Sequence, residues 1–284
     1  MPSPPPARTP TALTIAGSDS GGGAGLQADL KAFEANGVFG MSVVTALTAQ
    51  NTREVTAVHE VPPAFVTAQL DAVVADLPVG AVKTGMLASA EIIDAVAGGV
   101  ARHGLGPVVV DPVMVTTGGD PLLRADAVAA VRDRMLPIAD LVTPNAHEAA
   151  VLAGFDVRSL DDARRAARVI LDLGPGAVLV KGGHLDGEAD AVDLLLTEHG
   201  ETLYREERIA TTSTHGTGCT YASAIAAWLA RGLGLEDAVG HARRYLQDAI
   251  RHGLALGGGH GPTSHFWFLA DAAPPESAAP PVAS

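Results

Sequence analysis

Cysteine is nearly absent, since Cys219 stands alone in 284 residues. An internal disulfide and a multi-cysteine metal site are both excluded, which fits a reducing cytoplasm. Lysine is almost as scarce: of 19 basic residues only Lys31, Lys83 and Lys181 are lysines. A positively charged N-terminal region followed by an apolar stretch is missing, and no apolar run is long enough to span a bilayer. The expectation is a soluble, untargeted protein. Positive charge is short overall, with a formal net charge of −13. Neither nucleic acid nor an anionic membrane would meet a basic field, so any anionic ligand has to be held locally.

Three motifs are missing as well. The run Gly21-Gly22-Gly23-Ala24-Gly25 falls short of a dinucleotide fingerprint because Leu26 stands where the third glycine belongs. No Gly-x-x-x-x-Gly-Lys-Ser/Thr occurs, so a P-loop is out. His147-Glu148-Ala149-Ala150-Val151 lacks the second histidine of a zinc protease helix.

What is present is ample apolar material, 47% of the chain, in short β-branched runs alternating with amphipathic stretches. That alternation predicts an α/β fold, a mostly parallel sheet with helices on both faces. Strands are expected near Ala12–Ala16, Ser42–Ala46, Thr56–Val61, Ala81–Thr84, Val108–Asp111, Leu141–Thr143, Val178–Lys181 and Ala191–Thr197. Helices are expected near Ala24–Asn36, Ala64–Asp76, Ser89–His103, Ala125–Leu136, Ala146–Ala153, Leu160–Leu173, Cys219–Arg231 and Leu235–Gly253. The helix after Pro63 should bury Val66, Leu70, Val73, Val74 and Leu77. No repeat or internal linker interrupts the pattern, so residues 11–270 read as one domain. Residues 1–10 and 271–284, rich in Pro or in Pro, Ala and Ser, read as disordered tails.

In such sheets ligands gather beyond the carboxyl ends of the strands. Polar residues stand at those ends repeatedly: Asp19 with Gly21 to Gly25, then Gln50 and Asn51, Lys83 with Met86, Asp111, Asn145 and Lys181. Lys83 and Lys181 each close a strand just before glycine, where a compact ammonium suits a single phosphate oxygen. With three lysines in all, chance placement accounts for it equally.

The strongest stretch is Thr214-His215-Gly216-Thr217-Gly218-Cys219-Thr220, a glycine-bearing turn opening an apolar helix. Its first N–H groups, unpaired and at the positive end of the dipole, make an anion site. A helix N-terminus also lowers a thiol pKa, which would ready Cys219 as a base or nucleophile. The plainer alternative is a helix cap carrying a small buried hydrophobe. In Thr143-Pro144-Asn145-Ala146-His147-Glu148, Asn145 is a cap candidate with Glu148 three residues on. The same amide and carboxylate, with Asp111, could hold Mg²⁺ through water.

Eight motifs in order resemble the hydroxymethylpyrimidine/phosphomethylpyrimidine kinases of thiamine biosynthesis. They are Ala16 to Asp29, Thr45 to Thr52, Lys83 to Leu87, Val110 to Met114, Gly119 to Leu123, Thr143 to Asn145, Lys181 to His184 and Thr214 to Thr220. The resemblance implies a ribokinase-like three-layer α/β/α fold with a small or absent lid. It implies ATP- and Mg²⁺-dependent phosphorylation of 4-amino-5-hydroxymethyl-2-methylpyrimidine and then of its monophosphate, in a cytoplasmic homodimer. Gln50 then binds the pyrimidine, with Asp29, Gly17 and Met86 nearby. Gly216, Thr217 and Gly218 form the anion hole and Cys219 is the catalytic residue. Lys181, Asn145 and Thr214 serve the nucleotide phosphates, and Asp111 and Glu148 the metal. One departure is Gly119, where the family often has serine. Rival readings are a pyridoxal kinase on the same fold, a vitamin-sensing binder that lost turnover, and a dinucleotide oxidoreductase.

Overall fold

The structure is a computed structural model in which residues 9–114, 125–183 and 185–269 are described. The expected tails, apart from Thr9 and Pro10, lie outside those residues. So do Thr116 to Leu123 and His184.

Among the described residues ten strands form in chain order: β1 (Thr11–Ala16), β2 (Phe39–Val44), β3 (Ala46–Gln50), β4 (Val55–Glu60), β5 (Val82–Thr84), β6 (Val108–Val110), β7 (Leu141–Val142), β8 (Ala177–Val180), β9 (Ala191–Thr197) and β10 (Gly200–Glu206). Eight of them make one sheet in the order β10-β9-β8-β7-β6-β5-β1-β2. From β2 to β8 neighbours run parallel, and β9 and β10 turn antiparallel at one edge. The order reverses between β1 and β5, a switch point of the kind that opens a crevice at the strand ends.

The inner strands of the sheet are apolar on both faces because each face carries a helical layer. Leu13, Ile15, Val108, Val110, Val142, Val178 and Val180 point into one core. It is roofed by α2 (Pro63–Val74), α3 (Ala90–His103), α4 (Ala125–Ala130), α5 (Ala146–Ala153) and α6 (Leu160–Leu171). The alternate residues Ala12, Val109, Leu141, Ala177 and Leu179 point into the other, under α1 (Gly25–Ala35), α7 (Thr217–Ala230) and α8 (Leu235–Arg251). The three-layer expectation is met.

Four details differ from the sequence reading. Strand β2 ends at Val44, and a separate strand β3 follows, pairing only with β4 as a two-stranded sheet outside the main one. Gln50 is therefore the last residue of a hairpin strand, whereas Asn51 turns the chain by accepting from the N–H groups of Arg53 and Glu54. The second core-edge strand β10 was not expected, since Glu-Thr-Leu-Tyr-Arg-Glu has the polar look of an exposed edge. Helix α2 stops at Val74, leaving Leu77 39% exposed and off the buried stripe. The stretch after Ala130 leaves α-geometry, passing through a wider turn to Met135 and a tight one over Leu136–Ile138.

Lys83 requires correction. Its side chain is fully buried on the α1/α7 face of β5, with Nζ 2.8 and 2.9 Å from the two oxygens of Asp29. Thr14 and Ser223 donate to the same carboxylate at 2.6 and 2.7 Å. Burial alone would depress this ammonium, but Asp29, with Cys219 and Asp111, holds it well above its ordinary pKa. It is a core charge satisfied by the fold rather than a hand for phosphate. Lys83→Met should cost about 3–5 kcal/mol of stability, because Asp29 would stay buried without its counter-charge. Urea unfolding checks this, and combining Lys83→Met with Asp29→Leu should recover much of the loss. A single variant as stable as the parent would mean Asp29 is satisfied without the lysine.

Candidate active site

The acidic side of the site is assembled from three strand ends. Asp111 follows β6 and is 2% exposed; its Oδ1 accepts from Lys181 Nζ at 2.8 Å and Thr143 Oγ1 at 3.2 Å. Lys181 follows β8, where its N–H donates to the carbonyl of Pro144. Burial would lower the Lys181 ammonium, but Asp111 and Glu148 outweigh it and raise its pKa. Asn145 and Glu148 form a complete capping box: Asn145 Oδ1 accepts from the Glu148 N–H at 2.9 Å, and Glu148 Oε2 from the Asn145 N–H at 2.8 Å. The cap reading of Asn145 is thus met, and it leaves Glu148 buried beside Lys181 and Asp111. Burial pushes the Glu148 carboxyl up to about 7 against the pull of Lys181, with Asp111 adding to the rise.

The glycine turn entering α7 sits against that cluster. A Cβ placed on Gly218 would lie 3.3 Å from Lys181 Nζ and 3.7 Å from Asp111 Oδ2. Gly216 adopts a left-handed φ of 80° as it enters α7, and a Cβ there would enter the carbonyl of Gly23. Only glycine lets the two loops meet so closely. The Thr217 N–H closes the turn onto the carbonyl of Thr214 at 3.3 Å.

Cys219 stands on the first turn of α7, partly exposed, and the N–H of Gly25 at the start of α1 faces its thiol. Here the expectation of a lowered thiol pKa is overturned. Burial pushes the thiol up to about 11, and the pull of Lys83 and the Gly25 N–H does not offset burial together with Asp29 and Asp111. The dipole is real but smaller than the loss of water.

Gln50 is positioned by its own backbone. Its N–H donates to Ser20 Oγ at 2.8 Å, and the Ser20 hydroxyl donates to the Gln50 carbonyl at 2.9 Å, so the β3 end is tied to the glycine loop. The Gln50 side-chain oxygen accepts from Thr48 Oγ1 at 3.3 Å. Gly17 and Met86 meet directly, with the Gly17 N–H on the Met86 carbonyl at 3.2 Å and the Met86 methyl filling the space a Gly17 side chain would need. Asp29 is placed differently from a substrate contact: it is 0% exposed and its oxygens are taken by Lys83, Thr14 and Ser223.

Two positions carry more than the sequence reading gave them. Asp19 is 1% exposed and gathers the N–H groups of Gly21, Gly23 and Ala24 at 2.8, 3.0 and 2.8 Å. Its readable signal is an aspartate ahead of a glycine run, the residue that folds a turn onto itself. Asp193 of β9 accepts from the Gly182 N–H at 3.0 Å and lies 3.0 Å from Arg243 Nε, fixing the loop beside Lys181 from behind. Nothing local in the sequence marks that contact, because its partners come from a different strand and a distant helix. Among the described residues no three His, Cys, Asp or Glu side chains cluster to cage a metal. No helix there is long and apolar enough to cross a membrane.

Residues 19–264 match the family described as phosphomethylpyrimidine kinase. The chain is 51% identical over 260 residues to the hydroxymethylpyrimidine/phosphomethylpyrimidine kinase of Synechococcus elongatus, covering 92% of this chain and 98% of that one. Among solved structures it is similar to an ADP complex of Bacillus subtilis pyridoxal kinase, at 36% identity and TM-score 0.86, over 93% of this chain and 100% of the other. It is also similar to the phosphomethylpyrimidine kinase of Clostridium difficile, at 43% identity and TM-score 0.76, over 84% and 99%. With its fold and most of its length in common with these proteins, the chain belongs to the phosphomethylpyrimidine kinase family.

Proposed function

We propose that this kinase transfers the γ-phosphoryl group of ATP to 4-amino-5-hydroxymethyl-2-methylpyrimidine and then to the resulting monophosphate, as a step of thiamine biosynthesis. The observation that supports it most is the meeting of the Gly216–Cys219 turn with the Asp111–Lys181 pair, which puts N–H donors, an ammonium and a thiol at one focus. Such a focus suits phosphoryl transfer, where positioning and charge stabilisation supply most of the catalysis.

In the first step the pyrimidine's primary alcohol attacks the γ-phosphorus, the bond to the β-phosphate oxygen breaks, and the alcohol proton passes to Cys219 in its thiolate form. The N–H groups of Gly216 and Gly218 take up charge on the transferred group, the Thr217 N–H joins them by giving up its 3.3 Å bond to the Thr214 carbonyl, and Lys181 meets the nucleotide phosphates, with Asn145 and Thr214 serving them too. In the second step a phosphate oxygen is already an anionic nucleophile and has no proton to lose. Gln50 offers an amide donor and acceptor to the aminopyrimidine edge, Gly17 and Met86 shape its seat, and Asp29 acts from behind through Lys83.

Mg²⁺ fits this donor set only as a largely hydrated ion, since Asp111 and Glu148 are two carboxylates and already accept hydrogen bonds. Bound there, it would neutralise phosphate charge. The reading includes a homodimer in the cytoplasm, which the mass of the native particle would test. A second reading, pyridoxal phosphorylation, is favoured by the Bacillus subtilis pyridoxal kinase likeness.

The primary experiment is product mass after incubation with ATP, Mg²⁺ and either the hydroxymethylpyrimidine or pyridoxal. Two successive phosphate additions to the pyrimidine are expected, and turnover of pyridoxal alone would transfer the site to the second reading. Cys219→Ala should slow the first phosphorylation by about 10²–10⁴-fold and the second much less. Because the thiol is pushed up to about 11, the parent's first-step kcat should rise with pH, up to about tenfold per unit below that value, and the variant's should not. Equal losses in both steps would remove the base role. Protons compete with the cation for Glu148, whose pKa is about 7, so more Mg²⁺ should move the acid limb of kcat/KM to lower pH. An acid limb indifferent to Mg²⁺ would take Glu148 off the metal side.

A further inference from the structure

We propose that Asp19 and His215 form a positioning clasp that holds the N-termini of α1 and α7 face to face at Cys219. The inference rests on the kinase reading and adds two residues to the machinery it assigns. His215 Nε2 lies 2.8 Å from Asp19 Oδ2, across 196 positions of sequence, with both residues buried. The same carboxylate oxygen accepts from the N–H groups of Gly23 and Ala24, immediately before α1 begins, and its partner oxygen from Gly21. His215 in turn immediately precedes Gly216, from which α7 starts. One carboxylate therefore binds both helix entrances.

The packing leaves no slack. A Cβ on Gly23 would stand 2.5 Å from His215 Cδ2, and one on Gly216 would enter the Gly23 carbonyl. From outside, the His215 N–H is held by the carbonyl of Gly261 at 3.0 Å. The physical need is plain. Two helix N-termini brought to one point present partial positive charge to each other, and neither first turn contains an acidic residue. Asp19 supplies the missing negative charge behind the loops, so the pocket side of both turns stays free for an anion. Burial would raise its carboxyl, but the bonds from His215, Ala24 and Gly21 hold it below the usual range, so it keeps its charge.

Because the chain has a single cysteine, alkylation by iodoacetamide reports on Cys219 alone. His215→Ala is expected to lower first-step kcat about tenfold or more while KM for the pyrimidine changes less than about threefold. Alkylation should accelerate by about threefold or more, since the Gly25 loop no longer covers the thiol. His215→Gln, which keeps a side-chain N–H donor, should recover part of both. Asp19→Asn, equal in size, carries the same test where the alanine variant does not fold. Parent turnover with kcat and alkylation both unchanged in a folded variant overturns the clasp. Absence of turnover in the parent refutes the kinase reading instead, and the alkylation arm still decides the clasp.

Discussion

The ammonium of Lys83, sealed inside the protein, is the constraint around which the α1/α7 layer is built. It rises from the inner strand β5 and must be neutralised where water cannot reach. Asp29 does so from α1, Thr14 from β1 and Ser223 from α7 complete the carboxylate's hydrogen bonds, and so one charge fixes two helices over the sheet's switch point. A buried pair of this kind adds little net stability over apolar packing, but it permits one arrangement only, since any shift leaves a charge unpaired. The N-termini of both helices are delivered to the strand ends by that arrangement. The site is thus an outgrowth of the core.

The same geometry resolves the mismatch between an anionic ligand and a chain of net charge −13. Attraction at a distance is weak or adverse, and what matters is charge within a few ångströms. Lys83 lies below the turn, Lys181 lies beside it, and the N–H groups of two helices open onto it. Asp111 ties Lys181 in place beside the turn. These groups supply at short range the positive charge that the chain lacks overall, which is what the proposed transfer from ATP requires.

Much of this was legible in the chain. Apolar strands alternating with amphipathic helices give the three layers, because sheets buried on both faces need runs such as Val108-Val109-Val110. Asn145 with Glu148 three residues on gives the capping box, and Gly216 and Gly218 before an apolar helix give the tight turn into α7. What stayed hidden depends on contacts between distant segments. The lysines Lys83 and Lys181 look alike in sequence, each before a glycine at a strand end. Side-chain direction separates them: one points under α1 and α7, and the other lies beyond the edge of the strand. The break between β2 and β3 and the polar edge strand β10 were obscure for a local reason, since exposed strands lack a one-sided apolar pattern.

Cys219 shows where a local rule fails by magnitude. A helix N-terminus is worth about 0.3–1 kcal/mol to a nearby negative charge, less than one pKa unit. Removing water from a thiol and placing carboxylates near it can amount to several units in the other direction. In this fold burial decides the sign, Asp29 and Asp111 add to it against the pull of Lys83, and the thiol is pushed up to about 11. A thiol so placed is scarce as thiolate but strongly basic once ionised. As a thiolate it would be the strongest base beside the turn, and that is the property the proposed proton transfer draws on. The donors that lower its pKa, Lys83 and the Gly25 N–H, are those the core holds fixed, and the thiolate's availability is therefore set by packing beneath the pocket.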